Sequence, residues 1–298
     1  MRNPPMFKQL GLIGCGLMGG SFAIAMRQAG LVERIIGYSK SPSTTERAKQ
    51  MGVIDQAAES ALLAVSGSDV VLMAVPVSAS EGTFRAIRHL VNPNVLFMDV
   101  GSTKRDVIDA ARRVLKDRVE SFIPAHPIAG KELAGIQHAD GQLYRDRQVI
   151  LTPIPQNSPQ MVEKAHALWK GLGCHVTVMT PEAHDEAFAA VSHLPHLVAF
   201  AYFAGILQQK ASDDFLALAG PGFRDFTRIA ASDPTVWKDI LIANREEVLK
   251  QSQRFRGALG ALEQALRECR GEALEALVRG VSQARSQWRL GSTPRTKA

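Results

Sequence analysis

The chain contains little cysteine, few aromatic residues and no long apolar run. Only 3 of its 298 residues are cysteine, and aromatic residues make up 6%. Cys15, Cys174 and Cys269 are widely spaced and form no CxxC or CxxH pattern. This spacing excludes a disulfide framework and a zinc site, so we expect no metal and a reducing, cytoplasmic location. Because no uninterrupted apolar stretch approaches the roughly 20 residues of a membrane helix, we expect no membrane association.

The charge of the chain is moderately basic, but its distribution does not indicate nucleic-acid binding. There are 35 Lys and Arg against 29 Asp and Glu, a formal net charge of +6. The basic residues are scattered along the chain, apart from a basic tail at 285–297, and few aromatic residues accompany them. We therefore expect no nucleic-acid partner, and we assign the functional share of the charge to small anionic ligands.

The first half alternates short apolar runs with helical segments, which is typical of a parallel α/β sheet covered by helices on both faces. The pattern predicts helices at 18–28, 78–90, 104–116 and 159–171. It predicts strands at 9–13, 34–38, 69–75, 95–99, 121–125, 148–152 and 174–179. In such a sheet, ligands bind beyond the carboxyl ends of the strands.

The strand at 9–13 runs directly into the sequence GCGLMG, which has the G-x-G-x-x-G spacing of a dinucleotide-binding turn. Gly14 permits the tight turn, Gly16 lets the backbone approach a pyrophosphate, and Gly19 lets the following helix pack closely against the strand. The motif therefore predicts a nicotinamide dinucleotide site. The expected cofactor-binding residues are Gly14, Gly16, Leu17, Met18 and Gly19, together with Val75 and Pro76 after the strand at 69–75.

The tip of the second strand favours NADP as the cofactor. Enzymes specific for NAD place an acidic residue there to bind the ribose hydroxyls. Here the strand ends with Ser39 and Lys40, and the first carboxylate is Glu46. An acid would repel a 2′-phosphate, whereas Ser39 and Lys40 could bind one. NAD bound through other contacts, with Lys40 merely solvated, is the alternative.

The second half of the chain is helical. Strand patterns stop near residue 180, so we expect a dinucleotide-binding domain at 1–180, an all-α domain at 181–290 and a disordered tail at 291–298. Pro195 predicts a kink or break in a long apolar helix. The residues at 220–223 predict a loop, and Pro234 predicts the start of a helix that reaches residue 269. Apolar residues at 248, 255, 259, 262 and 266 have the spacing of a helix–helix seam. We expect this seam to form a homodimer, an internal bundle being the alternative.

His126 is the best candidate for acid–base chemistry. It is expected just beyond a strand end, where a neutral imidazole could take the proton of a substrate hydroxyl while hydride leaves the same carbon. Ser102, at a neighbouring strand end, could orient that imidazole or the hydroxyl. Its alternative role is to cap the next helix.

Polar residues in the helical half indicate a site for an anionic substrate. His193 and His196 interrupt an apolar helix. Arg224 and Arg228 could bind a carboxylate with two hydrogen bonds, although an ion pair between Asp225 and one of them is the alternative.

Five segments together resemble the prephenate/arogenate dehydrogenase family of tyrosine biosynthesis. They are, in chain order, GLIGCGLMGGS, DVGSTK, AHPIAGKE, SHLPH and GFRDFTRIAASDPTVWKDI, and the resemblance runs from about residue 8 to residue 250. It implies a Rossmann-type doubly wound α/β domain followed by an all-α dimerisation domain. The implied reaction is NAD(P)-dependent oxidative decarboxylation of prephenate to 4-hydroxyphenylpyruvate, or of arogenate to tyrosine.

The resemblance also implies roles for individual residues. His126, the histidine of HPIAG, would deprotonate the ring hydroxyl, and Ser102 of the DVGS motif would assist it. Arg228 of the TRIA motif would bind the ring carboxylate, and His193 and His196 of SHLPH would line the same pocket. The chain offers too few residues for an ACT domain or a chorismate mutase extension, so we expect a single-activity enzyme.

Two other functions stay open on the sequence alone. One is another Rossmann enzyme with a helical domain, such as a β-hydroxyacid dehydrogenase, although those use a catalytic lysine on a helix. The other is a non-catalytic NADP-binding regulator, which would not need His126. The sequence does not choose between prephenate and arogenate.

Overall fold

A computed structural model describes residues 4–91, 94–130 and 133–289, and the predicted disordered tail at 291–298 lies outside this part of the chain. The chain divides into two compact units, Met1–Arg245 and Glu246–Ala298. The first unit contains every described strand, and the second is helical.

A six-stranded parallel sheet forms the centre of the first unit. Its strands are β1 (Phe7–Ile13), β2 (Val32–Tyr38), β3 (Gln56–Ala57), β4 (Val70–Met73), β5 (Leu96–Asp99) and β6 (Phe122–Ile123). Their order is β3-β2-β1-β4-β5-β6, so the direction of winding reverses between β1 and β4. This is the doubly wound Rossmann order, and it confirms the predicted fold class.

Each central strand is buried on both faces. In β4, Val70 and Leu72 belong to one apolar cluster, whereas Val71 and Met73 belong to the other. This alternation follows from the two-residue period of a strand, and it explains why the strand has a continuous apolar sequence. The helices connecting the strands are α1 (Leu17–Gln28), α2 (Pro42–Gln50), α3 (Ala61–Val65), α4 (Ser80–Ile87) and α5 (Arg105–Leu115).

A second sheet of three strands follows, which the sequence did not predict. It contains β7 (Ala125–Pro127), β8 (Gln148–Leu151) and β9 (His175–Val178), with α6 (Pro159–Gly171) between the last two. β7 pairs antiparallel with β8, and β8 pairs parallel with β9. The strand predicted at 121–125 is confirmed in the first sheet only for Phe122–Ile123, because the chain leaves that sheet at Pro124 and Ala125 already begins β7. Proline has no N–H to continue a hydrogen-bond ladder, although its carbonyl accepts from the amide of Thr152.

The helical part begins with three consecutive helical segments. These are α7 (Pro181–Phe188), a π-helical turn (Ala189–His193) and α8 (Leu194–Leu207). The kink or break predicted around Pro195 corresponds to this interruption of the α-helix, because the π-helical turn ends at His193 and Pro195 occupies the first turn of α8, where a missing N–H costs little. The run Pro181–Leu207 is long and apolar enough by length and composition to cross a membrane, and little of it is buried within the chain.

Five further α-helices and one 3₁₀ turn (Arg228–Ala231) complete the described chain. The α-helices are α9 (Ser212–Ala217), α10 (Pro221–Thr227), α11 (Pro234–Ala243), α12 (Arg245–Arg267) and α13 (Gly271–Gln287). The loop predicted at 220–223 was wrong, because Pro221 begins α10 at a position that favours proline. The single helix predicted for 234–269 was also wrong. It is interrupted at Asn244, which ends α11 and makes side-chain hydrogen bonds described below.

Candidate active site

The turn between β1 and α1 has the geometry of a dinucleotide cradle. Gly14 has φ +96°, and a Cβ at this position would lie 2.1 Å from the carbonyl oxygen of Ala74. A Cβ on Gly16, in contrast, would meet no atom within 4 Å. The turn therefore lies against the end of β4 on one side and leaves open space beside Gly16. The unpaired amides at the start of α1 favour an anionic group in that space.

The other expected cofactor residues surround this turn. Leu17 and Met18 are the first residues of α1, and the Met18 carbonyl accepts a hydrogen bond from the hydroxyl of Tyr144 at 2.7 Å. A Cβ on Gly19 would lie 2.0 Å from the Gly14 carbonyl oxygen, so α1 packs tightly against the turn. Val75 and Pro76 follow β4 at the β1–β4 switch point, where ligands bind in doubly wound folds.

Ser39 is fixed beside the glycine turn. Its Oγ accepts a hydrogen bond from the Cys15 amide at 2.8 Å, and its own amide donates to Thr45 Oγ1 at 2.9 Å. The hydroxyl proton of Ser39 is thus available to a ligand oxygen. Lys40 follows with an exposed side chain.

His126 is the second residue of β7, where it pairs with Ile150. The expectation that it lies beyond a strand end was wrong, because the chain re-enters a sheet directly after Pro124. His126 is 9% exposed, and its Nδ1 lies 2.8 Å from Nε2 of His184. Burial holds the pKa of His126 well below its usual range, and the nearby His184, Lys104 and His193 act in the same direction. His126 is therefore a neutral imidazole at neutral pH.

His184 and Asp185 on α7 extend the contact of His126 into a buried chain of hydrogen bonds. His184 Nδ1 lies 2.8 Å from Asp185 Oδ1, which also accepts from the amide of Lys104 at 2.9 Å. Asp185 Oδ2 accepts from the amide of Arg105 at 3.0 Å. Burial alone would raise the pKa of Asp185, but the hydrogen bonds from His184 and the two amides lower it overall. Asp185 is therefore a carboxylate.

A buried ion pair holds the strand that carries His126. Lys104 Nζ lies 2.5 Å from Asp99 Oδ2 and 2.8 Å from the carbonyl oxygen of Ala125. Asp99 Oδ1 accepts from the amide of Ala125 at 3.0 Å. The residue that precedes His126 is thus fixed through both of its backbone polar groups. The pair joins β5 and the start of α5 to β7.

His193 lies at the end of the π-helical turn and is bound by Asn244. The amide nitrogen of Asn244 donates to the Asp185 carbonyl at 2.8 Å and lies 3.1 Å from His193 Nδ1. Because this nitrogen can only donate, Nδ1 of His193 is the acceptor and Nε2 carries the proton. Nε2 is buried and has no hydrogen-bond partner within the described residues. Burial lowers the pKa of His193 to about 4, so the ring is neutral.

His196 and Arg228 lie next to this group. The His196 ring stacks on Trp237 with centroids 3.4 Å apart, and its Nδ1 donates to the Ser192 carbonyl at 2.9 Å. Burial lowers the pKa of His196, the hydrogen bond to the Ser192 carbonyl opposes this, and the positive charge of Arg228 lowers the pKa further.

The alternative ion pair suggested by the sequence is confirmed for Arg224, whose Nε lies 3.1 Å from Asp225 Oδ1 on an exposed surface. Ser102 lies half-buried in the turn between β5 and α5. Its backbone is near the His193 ring but outside hydrogen-bond geometry.

The structure thus connects His126 and His193 through residues that the sequence did not indicate as functional: His184, Asp185 and Asn244. An adjacent His-Asp pair on a helix is an ordinary surface pattern. The sequence pattern that predicts this helix does not depend on His184 or Asp185, and this was the one indication that the two residues have another role. Lys104 belonged to a recognised motif, but its burial could not be predicted from that motif.

Comparison with known proteins gives consistent similarities. Residues 22–178 match the family profile "Prephenate dehydrogenase, nucleotide-binding domain", and residues 180–281 match "Prephenate dehydrogenase, dimerization domain". Prephenate dehydrogenase of Bacillus subtilis is 37% identical over 80% of this chain, and the match spans 64% of that protein's length. Cyclohexadienyl dehydrogenase of Zymomonas mobilis is 31% identical over 90% of this chain and 92% of its own length.

Solved structures show the same similarity. Prephenate dehydrogenase from Aquifex aeolicus, in complex with hydroxyphenyl propionate and NAD⁺, superposes with a TM-score of 0.88 at 32% identity, covering 94% of this chain and 98% of that one. Arogenate dehydrogenase from Synechocystis superposes with a TM-score of 0.80 at 26% identity, covering 94% and 100%.

Proposed function

Since the chain belongs to the prephenate dehydrogenase family, we propose that it oxidises and decarboxylates prephenate to 4-hydroxyphenylpyruvate, or arogenate to tyrosine, in tyrosine biosynthesis. As a member of this family it is an oxidoreductase that uses a nicotinamide dinucleotide. The observation that carries the proposal is the environment of His126. This histidine is a buried neutral imidazole whose Nδ1 is engaged by His184, so that Nε2 is the nitrogen left for a substrate hydroxyl.

His126 acts as the general base in the proposed reaction. The bound nicotinamide would accept the hydride from the carbinol carbon, and Gly14, Gly16 and the start of α1 would hold its pyrophosphate. His126 Nε2 takes the proton of the hydroxyl on the same carbon. Loss of the ring carboxylate as CO₂ then leaves its bonding electrons in an aromatic phenolate, which takes the proton back from His126, and the gain of aromaticity makes the reaction essentially irreversible.

The substrate carboxylate is the proposed ligand of the second group of residues. Arg228 supplies the positive charge that binds the ring carboxylate, and the same charge lowers the pKa of His196. His193 offers a buried N–H that has no hydrogen-bond partner among the described residues, and a substrate oxygen would satisfy it. Ser102 would contact the reacting hydroxyl from the turn after β5.

Substitution of His126 tests this function. We expect His126→Asn to lower kcat by about 10²–10⁴-fold with prephenate or arogenate, because a proton acceptor is lost at the reacting carbon. Steady-state kinetics with both substrates and both cofactors measure the effect. Turnover of a β-hydroxyacid by the wild-type protein would favour a β-hydroxyacid dehydrogenase. No turnover with any substrate would favour the non-catalytic NADP-binding regulator. Undiminished turnover by His126→Asn would remove the role of His126.

We propose NADP as the preferred cofactor, with Ser39 and Lys40 binding the 2′-phosphate. The support is the fixed Ser39 hydroxyl beside the glycine turn and the absence of a carboxylate at this strand tip. Lys40→Asp should lower kcat/KM for NADP by roughly 10–100-fold, since it exchanges attraction for repulsion, and should affect NAD far less. A wild-type kcat/KM that is clearly higher with NAD would contradict this proposal.

We also propose a dinucleotide-binding domain at 1–180 and a helical domain at 181–290 that forms a homodimer. The family profiles support both, since they meet between residues 178 and 180 and the second is described as a dimerization domain. A partner subunit would cover the apolar run Pro181–Leu207, which accounts for its composition without a membrane. A cytoplasmic location is supported by the three cysteines, all of which are free thiols.

A further inference from the structure

We propose that His184 and Asp185 are positioning residues that fix which nitrogen of His126 carries a proton. The proposal rests on the proposed function, because it concerns the base of that reaction. Its structural content is a buried chain of hydrogen bonds from His126 Nδ1 to His184 and from His184 to the Asp185 carboxylate.

The hydrogen bonds from His126 to Asp185 all donate in one direction, and the Asp185 carboxylate determines that direction. Its two oxygens accept from the amides of Lys104 and Arg105, and Oδ2 also lies 3.3 Å from Arg105 Nε. An oxygen that accepts from several N–H groups belongs to an ionised carboxylate, which has no proton to donate. The nitrogen that faces it, His184 Nδ1, must therefore carry the proton of that imidazole.

The same argument continues to His126. A neutral His184 with its proton on Nδ1 has a lone pair on Nε2, so the contact at 2.8 Å requires a proton on His126 Nδ1. In the opposite tautomer of His126, the lone pair of Nδ1 would face the lone pair of His184 Nε2 at this distance, and the two would repel each other. His126 Nε2 is consequently unprotonated, which is the state that a general base needs before it meets the hydroxyl.

Packing fixes the two rings as well as their protons. Phe188, one turn after His184 on α7, contacts both, with ring centroids 4.7 Å from His126 and 4.5 Å from His184. His184 is fully buried, and Asp185 is 1% exposed. Bulk solvent does not reach these two side chains, so their hydrogen bonds to protein groups set the orientation.

The surrounding charges support the same role during turnover. When His126 receives the substrate proton, its positive charge faces Lys104 and His193 as well as His184. The charge of Lys104 is balanced by Asp99, whereas His184 is backed by Asp185. The Asp185 carboxylate is therefore the group that stabilises the imidazolium through His184.

Two substitutions of His184 distinguish positioning from packing. His184→Leu removes the acceptor for His126 Nδ1, and His184→Gln offers an amide oxygen in its place. We expect His184→Leu to lower kcat by about 100-fold with substrate KM changed less than about threefold, since loss of a base's orientation affects the chemical step. His184→Gln should recover at least tenfold of that loss. His175→Leu, at an exposed histidine on β9, is the matched control and should keep wild-type kinetics.

Nitrogen-15 NMR of the resting wild-type protein tests the inference without any turnover. The His126 signals are assigned by their absence in His126→Asn, and we expect a protonated Nδ1 and an unprotonated Nε2. A protonated Nε2 in the resting protein would overturn the proposal, as would wild-type kcat in a folded His184→Leu. Because this measurement needs no substrate, it separates failure of the positioning role from failure of the proposed reaction. It also stays decisive if His184→Leu does not fold.

Discussion

Four histidines at the candidate site share one electrostatic property, which is a lowered pKa. Burial is the largest cause for His126, His184, His193 and His196. Desolvation disfavours the imidazolium form, so each ring stays neutral at a pH where an exposed histidine would begin to charge. For a base that must accept a proton, this keeps the active form populated in mild acid.

The activity should therefore resist acid down to an unusually low pH. The acid limb of kcat/KM reports protonation of the free enzyme, and the lowered pKa of His126 moves that limb below the usual histidine value of about 6.5. A pH series of kcat/KM from 4.5 to 9 measures it. An acid limb near 6.5 or above, with the protein still folded, would contradict the neutral-base assignment.

His193 should also make the stability of the protein depend on pH. Its pKa is about 4 in the folded chain and about 6.5 when unfolded, so the unfolded chain binds more protons between these values. Stability is consequently lost as the pH falls through this window, by up to about 1.4 kcal/mol per pH unit for this residue. Urea denaturation at pH 7 and 5 should show a smaller pH effect in His193→Gln than in the wild type. Equal effects would contradict it.

At this scale the sequence predicted residues by type and motif, and it missed those whose role depends on long-range contacts. His126 and His193 were predicted, but the residues between them were not. His184 is 58 positions from His126, and Asn244 is 51 positions from His193. Such pairs meet only because α7 and the end of α11 pack together near the start of α5, which no local pattern encodes.

At the scale of elements, the Asp99–Lys104 pair joins the two sheets. Lys104 is fully buried and Asp99 is 2% exposed, and their charges are compensated by each other and by the backbone groups of Ala125 and Gly101. A buried charge that loses its partner is strongly destabilising, whereas an apolar pair of similar volume is tolerated. The pair therefore holds β7 against β5, but it adds little to the net free energy of unfolding.

Substitution of Lys104 should show this asymmetry. Lys104→Met leaves the Asp99 carboxylate buried without a counterion, and we expect a loss of about 3–5 kcal/mol of unfolding free energy. Adding Asp99→Leu should recover part of it. Arg85→Met, which breaks an exposed ion pair with Glu81, is the control and should change stability little. A Lys104→Met protein with wild-type stability in urea would contradict the prediction.

The apolar patterns predicted most elements because burial on both faces leaves a direct trace in the sequence. Helix α6 was predicted at 159–171 and has those bounds, and β1, β2, β4 and β5 were predicted within a few residues. The errors lie where one residue redirects the chain through a tertiary contact. Pro124 sends the chain into a second sheet, and Asn244 ends α11 where its side chain binds Asp185.

At the scale of the whole molecule, several helices expose apolar side chains that a partner subunit could cover. In the first unit, α8 is an apolar helix in which Ala199 is the one buried residue. Within the second unit, large apolar side chains are exposed on both helices: Leu249, Phe255, Leu259, Leu266, Leu277, Val278 and Val281. Three of them, at 255, 259 and 266, belong to the predicted seam. Surfaces of this kind mark interaction sites in soluble proteins, and the homodimer is the occupant that the dimerization profile supports.

The seam therefore predicts the mass of the protein in solution. We expect about twice the 32.3 kDa of one chain in sedimentation at micromolar concentration. Leu259→Glu should raise the dimer dissociation constant roughly 100-fold, because an unpaired carboxylate would be buried in the seam. Leu62→Glu is a matched control, since both leucines are 42% exposed but Leu62 lies on α3 of the nucleotide-binding part. A monomeric wild type would contradict the homodimer, and equal dissociation by the two variants would place its interface outside the seam.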